Sequence, residues 1–289
     1  MSTSQATTLD ELVDTDRYPL TDLDSEGGRA VLSGARSDLL ADGCTVLPDF
    51  IRPSLQETLR QEGADMAPRA HFDVATVNVY NMAAGPGLPE DHPGRIAFER
   101  GNAFVPRDRI PAGSLISRLY SDEVFQDFIA RCFELDRLHE LADPLSGLVL
   151  NVVEPGMEHP WHFDTNEFTV SMLTQEAREG GVFEYCPNIR SAQEENFDAV
   201  RDVLQGRGEE LTRRLPLRPG DLQLFKGRFS LHRVSPVQGG RARHSAIFAY
   251  SERPGVVGSV SRTRQLFGRV LPEHLEAEGR AVRGDRLLD

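Results

Sequence analysis

The sequence predicts a mainly β protein with flanking helices, built on a double-stranded β-helix (jelly-roll) core. Three observations lead there. After Asp143 the chain breaks into short β-rich runs, GLVLNVVEPG, FTVSMLTQ, GVFEYCP, GDLQLFKG and HSAIFAYSE, bounded by Gly, Pro and Asn. One helical insert, NFDAVRDVLQG, interrupts them, so the regular alternation of a βαβ sheet is missing. No GxGxxG follows a strand run and no GxxxxGK occurs, which leaves nucleotide folds of those two kinds unsupported.

The N-terminal half supplies the flanking helices. Residues 1–26 carry seven acids against one Arg and are expected to be a flexible acidic segment, frayed or loosely docked. A helix is predicted from Gly28 to Leu40, stopped by Gly43, followed by a strand in CTVLPDFI. Pro53 opens the next helix, PSLQETLRQEGADM. Residues 84–114 are dense in Pro and Gly and read as a long loop. YSDEVFQDFIARCFELDRLHEL then spaces Val124, Phe125, Phe128, Ile129 and Phe133 as one amphipathic helix. The expected organisation is a single domain over 27–289: a helical part 27–142, a β-rich catalytic core 143–252 and a C-terminal extension 253–289. The Arg-rich run SRTRQLFGRV onward is taken as a solvated face.

Composition excludes several functions. Arg and Lys total 32 against 45 for Asp and Glu, a formal charge of −13, which disfavours sequence-independent binding to nucleic acid or anionic membrane. No apolar run reaches the ~18 residues of a membrane span. Cys44, Cys132 and Cys186 are widely spaced and form no CxxC motif, which fits a cytoplasmic protein without structural disulfides. A small-molecule substrate is the expected partner, with homodimer formation left open.

The stretch EHPWHFDTNEFTVSML carries the chemistry. His162 and Asp164 stand at i and i+2, a spacing that puts both on one face of a strand, where they can hold one metal ion. On a regular strand Asn166, Phe168, Val170 and Met172 would continue that face. The third ligand candidate is His232, beyond the turn at Pro219–Asp221 and the run LQLF. Two His and one carboxylate make a facial triad with three open coordination positions. Arg243 follows His232 by eleven residues, with Ser245 on the same strand face, so the pair can clamp a carboxylate. Arg241 competes with Arg243 for this role. A dicarboxylic cosubstrate with its oxo-acid end on the metal is what this arrangement predicts.

The motif HFD occurs twice. His71 and Asp73 repeat His162 and Asp164, yet none of their possible distal partners has an Arg nine to fourteen residues downstream, whereas His232 does. His159 precedes the metal His by three residues and is a candidate for substrate positioning or a simple turn residue. Asn151 and Trp161 are the other candidate substrate contacts. His92 reads as a loop hydrogen-bonder, His244 as structural and His274 as solvated.

HxD, a distal His after a Gly-Asp turn and an Arg about ten residues later resemble the Fe(II)/2-oxoglutarate-dependent oxygenases. WHFDTNEFTVSMLTQ, GGVFEYCPNIRS, LFKGRFSLHRVSPV and LPEDHPGR are similar to a bacterial clade acting on free amino acids, which includes hydroxylases and radical halogenases. The resemblance spans roughly residues 75–270. It implies Fe(II), 2-oxoglutarate and dioxygen as the reacting set, with no separate protein acid or base. In that clade the halogenases carry Gly or Ala in place of the carboxylate ligand. Asp164 is present here, so the resemblance implies hydroxylation. The alternatives are the same oxidation ending in desaturation, cyclisation or epoxidation, or a non-redox metal-dependent cupin-like hydrolase or isomerase.

Overall fold

The computed structural model describes residues 8–81, 87–280 and 287–288. Two antiparallel sheets face each other. Their strands are β1 (Cys44–Leu47), β2 (His71–Val77), β3 (Phe98–Val105), β4 (Leu148–Val153), β5 (His159–His162), β6 (Thr169–Gln175), β7 (Phe183–Cys186), β8 (Arg213–Leu215), β9 (Leu222–Phe225), β10 (Leu231–Val234) and β11 (Arg243–Phe248). The major sheet has the order β1-β9-β6-β11-β4-β3-β2, and the minor sheet β8-β7-β10-β5. Apart from β2-β3-β4 and β7-β8, neighbours in space are remote in sequence, as the crossing connections of a jelly roll require.

Helices cover the outer face of the major sheet. Helix α1 (Leu9–Leu12) precedes α2 (Glu26–Asp42), α3 (Gln56–Met66), α4 (Leu115–Tyr120) and α5 (Glu123–Cys132). Asp122 caps α5 by accepting from the Val124 and Phe125 amides at 2.9 Å, satisfying two donors that the first turn leaves free. Phe125, Phe128 and Ile129 of α5 are fully buried, and Phe125 meets Phe50 and Phe248. The main core therefore lies between these helices and the apolar face of the sheet, where Leu148, Leu150, Val170, Met172, Leu222, Leu224 and Ala246 all point. The opposite face of the sheet carries the polar residues of the site.

The chain departs from its expected organisation in several places. Residues 8–26 are docked, since Leu12, Val13, Tyr18, Leu20 and Leu23 are buried in the main core. Residues 1–7 lie outside the described residues. The part expected to be helical, 27–142, supplies three strands, β1, β2 and β3, so the sheet does not begin at 143. Strand β3 falls inside the stretch read as a loop; its pairing with β2 and β4 overrides the Pro and Gly on either side. The amphipathic run at 120–141 starts earlier, at Leu115, and breaks at Ser121–Asp122 into α4 and α5.

The insert forms α6 (Phe197–Leu204), and the C-terminal extension forms α7 (Val260–Phe267) and α8 (Pro272–Ala277). That extension is not a solvated face. Val260, Thr263 and Phe267 are buried, and Phe267 packs with Phe104, Leu145 and Val149 on the inner face of the major sheet. His274, expected in solvent, is completely buried with Nε2 3.2 Å from Asp143 Oδ2. Asp143 also accepts from the amides of Leu145, Ser146 and Gly258, so one carboxylate ties the extension to the start of β4. The three cysteines are free and buried. Among the described residues no helix is long and apolar enough to cross a membrane.

Candidate metal centre

Strands β5 and β10 are antiparallel neighbours with His162 and His232 in register, which sets the two imidazoles side by side with centroids 4.1 Å apart. The register shifts immediately beyond, between His232 and Val234. Asp164 does not continue the strand. The strand ends at His162, and the corner is fixed by two backbone bonds, Phe163 N donating to Val79 O at 2.9 Å and Asp164 N to Gly227 O at 3.1 Å. The expected alternation through Asn166, Phe168, Val170 and Met172 is therefore broken by a turn, and Phe168, Val170 and Met172 belong to the main core. The i, i+2 spacing still brings the carboxylate back, because the corner folds it over both rings.

Asp164 Oδ1 lies 3.7 Å from His162 Nε2 and 3.4 Å from His232 Nε2. One ligand atom from each residue falls within 4.8 Å of the others, the one such group of three among the described residues. The ring orientations suit a metal. His162 Nδ1 donates to Pro160 O at 2.8 Å and His232 Nδ1 to Ser230 O at 2.9 Å; a carbonyl only accepts, so each Nε2 carries a bare lone pair. Thr169 Oγ1 donates to Asp164 Oδ2 at 2.6 Å, leaving Oδ1 turned to the imidazoles.

The electrostatics agree. Burial, reinforced by the neighbouring His232, pushes His162 down to about 3 against the pull of Asp164. Burial raises Asp164, but His232, His162 and the Thr169 hydroxyl outweigh it and hold the carboxyl well below its usual range. A neutral imidazole beside an ionised carboxylate is the form that binds a metal without first losing protons. The donor set fits a divalent iron that keeps positions open for other ligands.

Two features of this centre were invisible in the sequence. Gly227 is pressed against the carboxylate: a Cβ there would stand 1.9 Å from Asp164 Oδ2. Phe183, across the sheet on β7, stacks on the His232 ring at 5.6 Å. Only the Gly in LFKGRFSLH hinted at the first, and nothing local signals the second.

Arg243 begins β11 and is buried, with Nη1 donating to the Ser245 hydroxyl two residues on. No carboxylate pairs with it among the described residues, and burial pushes it down to about 10. Arg243 lines a cavity of about 390 Å³ together with Leu173, Phe183 and Leu215. Phe183 thus stands between this cavity and His232. Arg241 is paired elsewhere, with Glu176 at 3.2 Å.

The candidate substrate contacts separate. His159 stacks on His162, centroids 3.9 Å apart, and burial followed by repulsion from His162 and Arg100 lowers it well below the usual His value. Asn151 sits on β4 opposite Ser245, buried, with Oδ1 unpartnered. Trp161 is not brought to the centre. It alternates with His162 on β5 and turns to the far face of the minor sheet, where Phe163 and Cys186 surround it and the Arg233 guanidinium lies 4.8 Å over its ring. His71 and Asp73 lie on β2 and join no cluster of three ligands.

Comparison with known proteins bears on the whole arrangement. Residues 98–264, more than half of the chain, match the family model described as Halogenase D. No curated protein matches. Among solved structures, the chain is similar to the non-heme alpha ketoglutarate dependent epimerase SnoN from nogalamycin biosynthesis, at 12% identity and a TM-score of 0.52 over 77% of this chain and 83% of that one. It is similar to a prolyl hydroxylase from Trichoplax adhaerens in complex with a hypoxia inducible factor peptide fragment, at 16% identity and a TM-score of 0.51 over 80% and 96%. The carbocyclase SnoK from nogalamycin biosynthesis gives 17% identity and a TM-score of 0.50 over 82% and 92%. At such identities the structural likenesses carry the fold, and the family match carries the kinship: the chain belongs to the halogenase D family.

Proposed function

We propose that this chain is an Fe(II)- and 2-oxoglutarate-dependent dioxygenase that hydroxylates an unactivated C–H bond of a small polar substrate, a free amino acid or derivative. His162, Asp164 and His232 would hold Fe(II). The observation that carries the reading is Asp164 itself, with Oδ1 set between two bare imidazole nitrogens. Within the clade that the sequence resembles, halogenases leave this position to halide; here a carboxylate fills it.

Bound Fe(II) and 2-oxoglutarate supply, with dioxygen, the oxidising power for C–H cleavage. The protein's part is positioning. Arg243 and Ser245 would receive the distal carboxylate of 2-oxoglutarate, since a buried guanidinium without an anion calls for one. The Pro160 and Ser230 carbonyls keep both imidazoles in the ligating tautomer. Thr169 holds the carboxylate ionised and oriented. His159, stacked flat on His162, offers its ring at the edge of the same centre and would orient the substrate.

The test is product mass at high chloride, with free amino acids and derivatives as substrates. A product heavier by one oxygen is expected. A chlorinated product from the unaltered protein would overturn the role of Asp164, and loss of two hydrogens would assign desaturation or cyclisation instead.

A further inference from the structure

Two arginines on the β3 and α7 side of the metal centre, the buried Arg100 and the half-buried Arg262, form no salt bridge among the described residues, and neither serves the 2-oxoglutarate end. Arg100, on β3, is 2% exposed, and its Nε and Nη1 have no hydrogen-bond partner. Arg100 and Phe104 alternate onto one face of β3, and Phe104 meets the His159 ring at 6.4 Å. Helix α7 packs against β2 and β3 on that face: Phe267 shares an apolar cluster with Phe104, Leu145 and Val149, and Leu266 packs against this cluster. Arg262 stands one turn before Leu266 on the same stripe of α7. Its Nη1 donates to Gln265 Oε1 at 2.7 Å, and among the described residues no carboxylate pairs with it.

The charges around these two groups do not balance. Burial pushes Arg262 down to about 9, Arg100 adds repulsion, and Asp164 is the one anion that pulls it back. Asp164 is the proposed iron ligand, so its charge is committed. Arg100 is likewise lowered by burial, and its one opposing anion is Asp73, on the neighbouring strand β2. Two guanidinium ions against one free carboxylate leave an excess of one positive charge on this wall beside the metal centre. A neutral zwitterion would leave that excess uncompensated in a partly dry site, and a cationic amino acid would add to it.

Resting on the oxygenase reading above, we propose that Arg100 and Arg262 form an anion receptor at the substrate end of the site, and that the substrate is an acidic amino acid with one net negative charge. Arg262 is the specificity-determining residue, and the C-terminal extension is thereby part of the active-site wall. Arg100 takes one carboxylate from the sheet and Arg262 the second from the helix, while Asp73 is placed to meet the ammonium.

The experiment is anaerobic calorimetric titration of the protein loaded with Fe(II) and 2-oxoglutarate, using L-glutamate, L-aspartate, L-glutamine, L-asparagine, L-norleucine and L-lysine. At least one dicarboxylate is expected to bind tenfold or more tighter than its amide, with lysine weakest. R262Q should narrow the acid-to-amide ratio at least fivefold, and R262K should restore part of it. Equal or tighter binding of the amides, norleucine or lysine would overturn the proposal, as would an unchanged ratio in R262Q or no binding of either dicarboxylate at millimolar concentration. The visible charge-transfer band of the Fe(II)–2-oxoglutarate complex, recorded before any amino acid is added, reports on the oxygenase reading separately. A band with the wrong amino-acid preference sinks only the anion receptor, and no band sinks both.

Discussion

Each proposed metal ligand in this protein is oriented by a partner that sequence spacing alone does not reveal, and the residue scale is where that matters most. His162→Ala or His232→Ala removes one of the three proposed protein ligands, so stoichiometric iron should be lost while the far-UV spectrum stays native. Native mass spectrometry reads this directly, and His71→Ala, on β2 outside the cluster, should retain its iron. Gly227→Ala is a subtler probe. Its methyl would enter the space of Asp164 Oδ2, so the carboxylate must rotate away from the imidazoles. Iron affinity should fall by about 10–100-fold, the usual cost of disturbing the groups that orient a ligand, with little change in Tm. Arg243→Ala should raise the 2-oxoglutarate requirement by roughly 2–5 kcal/mol of lost binding, because truncating one half of a buried charge pair strands the other. Arg241→Ala, already paired with Glu176, should do little.

The clustering of His162, Asp164 and His232 was legible because HxD and the His-to-Arg interval are local or nearly local signals. Gly227 against Asp164 joins residues more than sixty positions apart, and only the Gly itself hints at it. Trp161 misled for a physical reason: adjacency to a ligand on a strand places a side chain on the opposite face.

At the scale of elements, the strands after Asp143 were readable from their alternation, whereas β3 was not. FERGNAFV sits between two Pro- and Gly-rich stretches, and its strand state comes from pairing with β2 and β4. In the N-terminal segment seven acids dilute the apolar pattern of Leu12, Val13, Tyr18, Leu20 and Leu23, all of which are buried in the core. The C-terminal helices are held by Asp143, and this anchor is testable. Burial alone would raise Asp143, but the amides of Ser146, Leu145 and Gly258 hold it below its ordinary value. A carboxyl depressed in the folded state stabilises above its unfolded pKa, and that contribution fades as pH falls through the folded value. Stability should therefore decline below about pH 4 in part through this group. Asp143→Asn should cost about 3 kcal/mol at neutral pH, the range expected when a buried charge loses its network. The same variant should flatten the acid limb. Thermal denaturation between pH 3 and 8 measures both effects, and an unchanged acid limb would remove Asp143 from the account.

For the whole molecule, the two sheets bring a carboxylate to the candidate metal centre of a chain whose family is named for halogenation. Asp164→Gly opens a coordination position and removes a negative charge from the centre. The variant should lose most hydroxylation and gain at most slight halogenation at high chloride, because an open position alone does not aim the substrate at halide. Comparing product masses from both proteins in the same chloride buffer settles that point.

The central claim is that His162, Asp164 and His232 hold Fe(II) while Arg243 receives 2-oxoglutarate. Anaerobic visible titration measures it most directly. Adding Fe(II) and then 2-oxoglutarate to the unaltered protein should produce a weak charge-transfer band that saturates at one equivalent of each. His162→Ala should give no band, and Arg243→Ala should give the same band only at much higher 2-oxoglutarate. Absence of the band in the unaltered protein with iron bound, or an identical 2-oxoglutarate dependence in Arg243→Ala, would contradict the account.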